Sequence, residues 1–81
     1  MSALTHFNAV GALYEWMQKL PSHRTIDHTF TGAGADHMPV FTCTTTVTAS
    51  GNSTEHVAIG PNKKDAKQKS ALEACLALGL I

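Results

Sequence analysis

Eighty-one residues, 43% of them hydrophobic and 15% charged, suffice for one small domain, in which folding removes only about 60% of the surface that the unfolded chain exposes. Six basic and six acidic side chains cancel to a net charge of zero, which departs from the basic balance expected of a protein that coats nucleic acid. No apolar run reaches the roughly 18 residues of a membrane span and no charged-then-apolar leader opens the chain, so neither a membrane nor a secretory route is expected. Cys43 and Cys75 lack close spacing and read as reduced core thiols of an intracellular protein, cytoplasmic or nuclear.

Residues 1–7 read as a short lead-in. Asn8 is placed to cap a helix through NAVGALYEWMQKL, in which Val10, Leu13, Met17 and Leu20 share one face, flanked by Ala9 and Trp16. Pro21 ends it. The opposite face carries Asn8, Gly11, Glu15, Gln18 and Lys19, short or polar residues that let a partner approach closely.

RTIDHTFT, residues 24–31, alternates Ile26, His28 and Phe30 with polar neighbours, the period of a half-buried strand. GAGADHMP, residues 32–39, reads as a glycine-punctuated loop. In VFTCTTTVT, residues 40–48, Phe41, Cys43, Thr45 and Val47 take one face of a second strand and threonines the other. Ser50, Gly51 and Asn52 signal a turn, and EHVAI, residues 55–59, is the third strand.

The last stretch, residues 60–79, carries the strongest signal. Gly60 and Pro61 break the preceding strand, Asn62 caps a helix with Asp65 three residues on, and Gly79 stops it. At about 100° per residue, Ala71, Ala74, Cys75 and Leu78 form the buried stripe, and Lys63, Lys64 and Lys67 fall on that stripe one to two turns earlier. A core does not cheaply bury three ammonium groups. The helix start is therefore expected to overhang the domain edge, where its free amides and positive dipole end already favour an anion. The charge distribution agrees: Lys63, Lys64, Lys67 and Lys69 face only Asp65 within residues 60–70, and most of the acid lies elsewhere.

The order of elements predicts an α+β fold, α-β-β-β-α, with a three-stranded antiparallel sheet and two helices packed on one face. Residues 1–81 form a single domain with its core at about 8–79.

Three separated segments resemble the double-stranded RNA-binding domain family: Asn8, Leu13, Glu15 and Trp16 in the first helix; Gly34, His37, Pro39 and Phe41 in and after the loop; and Gly60, Asn62, Lys63, Lys64, Ala66, Lys67, Ser70, Ala71, Ala74 and Cys75 in the last helix. A-form duplexes hide their base edges in a deep major groove and display 2′-hydroxyls across a shallow minor groove. The resemblance implies that Glu15, assisted by Asn8 and with Gly11 allowing close approach, meets one minor groove. His37 then meets the next, and Lys63, Lys64 and Lys67, with Asn62 at the helix start, contact the phosphates between. Duplex RNA would be bound by shape and ribose, with little sequence preference. The chain departs from the family pattern at Ala35, Tyr14 and Asn62.

A second reading, from a different class, is a protein-interaction or dimerisation module of the same fold, using Leu72 and Leu76 on the other side of the last helix or an exposed strand edge. A third makes the domain a targeting appendage of an RNA-processing, silencing or editing protein. No catalytic set or phosphate loop occurs, so the domain itself is not expected to be an enzyme. No cofactor is implied, and the histidines and cysteines lack zinc-finger spacing, so no metal site is expected.

Overall fold

The computed structural model describes residues 7–35 and 38–81, as α1 (Ala9–Lys19), β1 (Arg24–Ala35), β2 (Met38–Ala49), β3 (Asn52–Gly60) and α2 (Lys63–Leu78). The strands form one antiparallel sheet in the order β1-β2-β3. Both helices pack on one of its faces, with Leu13 of α1, Val47 of β2 and Ala71, Ala74 and Cys75 of α2 meeting in one cluster. The fold is the α+β arrangement that the element order predicts, a flat body with principal extents of 42 × 32 × 16 Å.

The sheet is longer than the sequence suggests. Residues 32–39, expected as a loop, are mostly ladder: Gly32 pairs with Phe41, Ala33 with Val40, Gly34 with Pro39 and Ala35 with Met38. Glycine and proline signal a break in a chain read alone, but the ladder needs only backbone groups and a partner strand already aligned by the pairing of residues 24–31. At the other end β2 and β3 join through a two-residue turn with Ser50 at φ 51° and Gly51 at φ 87°, the backbone of a tight hairpin whose twist suits the strands.

Alternation along β2 buries Cys43, Thr45 and Val47, and the cross-strand partners Ile26, His28 and Phe30 stand on the same helix-covered face. The buried face of α2 consists of Ala66, Ser70, Ala71, Ala74 and Cys75. These small side chains let the helix lie close to the sheet. Gly60 meets it at the junction, where a Cβ would stand 2.8 Å from the Ala66 backbone nitrogen.

The buried face of α1 is rotated from the expected stripe. Ala9 and Leu13 are buried and Trp16 packs partly against them, whereas Met17 is half-buried and Leu20 is exposed. Leu20 leaves the stripe because it is the C-cap, with φ −141°. Arg24 folds back over this end: its Nη1 donates to the Trp16 carbonyl at 2.7 Å and its guanidinium lies 4.3 Å from the indole centroid. One of the unpaired carbonyls of the last turn is thereby satisfied.

Candidate nucleic-acid interface

The start of α2 is built as the sequence predicts. Asn62 accepts from the Asp65 amide at 2.8 Å, and Asn62 Nδ2 donates to Asp65 Oδ2 at 3.4 Å. Asp65 is an acid in the first turn, where the helix dipole favours it. Lys63 and Lys64 are exposed and Lys67 is half-buried. Lys63 Nζ stands 5.8 Å from the centroid of the Phe30 ring on β1, an aromatic support with no signal in the sequence, where strand alternation marks Phe30 only as an inward position. At the far end Gly79, at φ 74°, closes α2, with the Leu80 amide donating to the Cys75 carbonyl at 2.9 Å.

Asn8 caps α1 by accepting from the Gly11 amide at 3.0 Å. A Cβ on Gly11 would stand 2.7 Å from Asn8 Nδ2. The bare backbone at Gly11 thus makes room for the cap itself. Glu15 is exposed one turn further on. Gln68 of α2 reaches this same turn, accepting from the Ala9 amide at 3.2 Å and donating to Asn8 Oδ1 at 3.3 Å. The structure therefore fastens the polar start of α1 to the helix that carries the lysines. No sequence signal marked Gln68, because a bond between residues 60 positions apart leaves no local pattern.

Behind the lysines, His28 Nδ1 and Thr45 Oγ1 are 2.8 Å apart, Thr45 Oγ1 and Ser70 Oγ 2.6 Å, and Ser70 Oγ donates to the Lys67 carbonyl at 3.1 Å. This polar chain joins β1, β2 and α2 beneath Lys67. Burial, and secondarily the Lys67 charge, lower the His28 pKa from its ordinary 6.5, with Asp27 opposing. Burial raises that of the Cys75 thiol, which donates to the Ala9 carbonyl at 3.5 Å. Cys43 and Cys75 are both free and buried.

His37 lies outside the described residues. Leu72 and Leu76 do not form the expected pair: Leu72 packs partly against the core, and Leu76 alone faces outward, 53% exposed. The phase of α2 sets Leu72 beside Gln68 and Cys75, on the side of the helix bonded to α1. Further exposed apolar side chains, Met38, Val40, Val57 and Ile59, lie on β2 and β3, and Pro39, Val40, Ile59, Pro61 and Lys69 line a shallow groove there.

The fold is thus a two-layer α+β domain whose second helix opens on exposed lysines and is fastened by Gln68 to the polar start of the first. The family model described as double-stranded RNA binding motif matches residues 9–78, and the chain belongs to that family. Comparison with curated proteins gives no match. Double-stranded RNA is the partner that membership implies, and the family is a binding domain and not a catalytic one. No helix among the described residues is long and apolar enough to cross a membrane.

Proposed function

We propose that Asn8, Gly11 and Glu15 lie against one minor groove of an RNA duplex while Lys63, Lys64 and Lys67, with the Asn62-capped amides of α2, contact phosphates across the adjoining major groove. His37 is the proposed contact with the next minor groove. The observation that carries this reading is that Gln68, one turn beyond Lys64 on α2, is hydrogen-bonded to the capped polar start of α1. Groups suited to phosphate and to ribose are thus held as one surface. In the cell the domain acts as the targeting module of an RNA-processing, silencing or editing protein. Its two free buried thiols suit the reducing cytoplasm or nucleus.

The test is a titration at about 100 mM salt with duplex RNA longer than about 16 base pairs, beside the same-sequence DNA duplex and single-stranded RNA. Wild type should prefer the RNA duplex, and Lys63→Ala/Lys64→Ala/Lys67→Ala should abolish that preference. A folded wild type that binds none of the three ligands would overturn the reading. That outcome would favour the protein-interaction alternative, for which the exposed Val40, Val57 and Ile59 beside the β3 edge are the better candidates than Leu72 and Leu76.

A further inference from the structure

We infer that Gln68 is a positioning residue for duplex RNA: it sets the register between the minor-groove surface of α1 and the lysines of α2, and it orients the amide of Asn8. The inference rests on the RNA-binding reading and deepens it. Both ends of the Gln68 amide are committed to the first turn of α1, Oε1 to the Ala9 N–H at 3.2 Å and Nε2 to Asn8 Oδ1 at 3.3 Å. Asn8 Oδ1 also accepts from the Gly11 amide. With its oxygen held by two donors, the exposed Asn8 side chain keeps Nδ2 beside Gly11, where it is a donor for ribose or phosphate oxygen. Without Gln68 the amide would still cap α1 but would lose the bond that fixes its orientation relative to α2.

The same turn is held from a second point on α2. Cys75 Sγ donates to the Ala9 carbonyl, so α2 holds both polar groups of the buried Ala9 backbone. Residues seven apart on a helix share a face, so Gln68 and Cys75 form one line of attachment along α2. Gln68 is also four residues from Lys64, one turn and about 6 Å along the axis. A shift of α1 at this attachment would therefore move Asn8, Gly11 and Glu15 relative to the lysines within a single turn. Rigid duplex spacing rewards a fixed separation and penalises a loose one.

Gln68→Met keeps the length and helix propensity of the side chain and removes both bonds. We expect it to weaken duplex RNA binding about tenfold, on the scale of one to two hydrogen bonds, with the salt dependence unchanged because the lysines remain. The deciding readout is coupling. Glu15→Ala should cost about fivefold in wild type and less than about twofold in the Gln68→Met background, whereas Lys64→Ala should cost the same factor in both. A purely structural role would leave both factors unchanged between backgrounds, and that result, or equal affinity of Gln68→Met and wild type, would overturn the inference. Should Gln68→Met fail to fold by circular dichroism, Gln68→Glu, which keeps the acceptor for the Ala9 amide and loses the donor to Asn8, is read by the same coupling. A folded wild type without RNA affinity would overturn the RNA-binding reading and the inference together, while uncoupled binding would overturn the inference alone.

Discussion

At Gly11 two demands meet in one volume, since the Asn8 amide occupies the space that a Cβ would take. Gly11→Ala gains up to about 1 kcal/mol of helix propensity and loses about the same if the Asn8 cap is expelled. Thermal stability should therefore stay close to wild type, while duplex RNA affinity falls several-fold because the Asn8 donor is displaced. A thermal melt beside an RNA titration separates the two effects, and unchanged affinity would remove Asn8 from the interface. His28 gives a second residue-scale expectation. Its pKa is lowered by burial and by Lys67, and its Nε2 is buried with no partner among the described residues. The folded state thus keeps the imidazole neutral where the unfolded chain binds a proton. That contribution to stability is complete above pH 6.5 and is lost as the pH falls below it, at no more than about 1.4 kcal/mol per pH unit for one group. The melting temperature should drop between pH 7 and pH 5 and the drop should shrink in His28→Asn; an identical pH profile in the variant would exclude His28 as its source.

Among the elements, α2 depends most on a single close approach. A Cβ on Gly60 would meet the Ala66 backbone nitrogen at 2.8 Å and Asp65 Cβ at 3.1 Å, and a helix backbone yields less readily than the end of a side chain. Gly60→Ala should destabilise the domain by about 2 kcal/mol or more, lowering the melting temperature by roughly 10 °C; a melt within 2–3 °C of wild type, on the order of 0.5 kcal/mol, would show that α2 can slide to accommodate the methyl group. The ends of α2 were legible in sequence because caps are local: Asn62, Asp65 and Gly79 act within a few residues of themselves. So were the three strands, from alternation. The extension of the β1–β2 ladder through Gly32, Ala33 and Gly34 was not, because it depends on a partner strand and not on local preference. The rotated stripe of α1 escaped for a related reason, since Ala9 is a weak apolar signal until Cys75 and Gln68 are packed against it. Of the candidate site, the lysines, Asn8 and Glu15 were readable from motif. Gln68 and the His28–Thr45–Ser70 chain were not, as their bonds cross between elements.

For the whole molecule, zero net charge and affinity for a polyanion are reconciled by where the charges sit. Asp27 pairs in register with Thr46, and Thr46 with Glu55, so both exposed acids stand in one row on the sheet face turned away from the helices, while Lys63 and Lys64 are exposed at the start of α2. These acids and the exposed lysines thus lie on opposite sides of the sheet, and exposed charges further apart than the screening length of about 8–10 Å at physiological salt interact weakly. A duplex docked on the helix side would feel the lysines directly and the acids weakly. If three lysines make the phosphate contacts, log affinity should fall with log salt at a slope of about −2.7, roughly fortyfold between 50 and 200 mM. Asp27→Asn/Glu55→Gln, which makes the net charge positive, should leave that slope unchanged and raise affinity less than about twofold at 100 mM salt. The lysine triple variant should flatten the slope. A steep slope that survives the loss of the lysines would place the phosphate contacts elsewhere, and a large gain from the acid substitutions would mean that the sheet face, and not the helix face, meets the RNA.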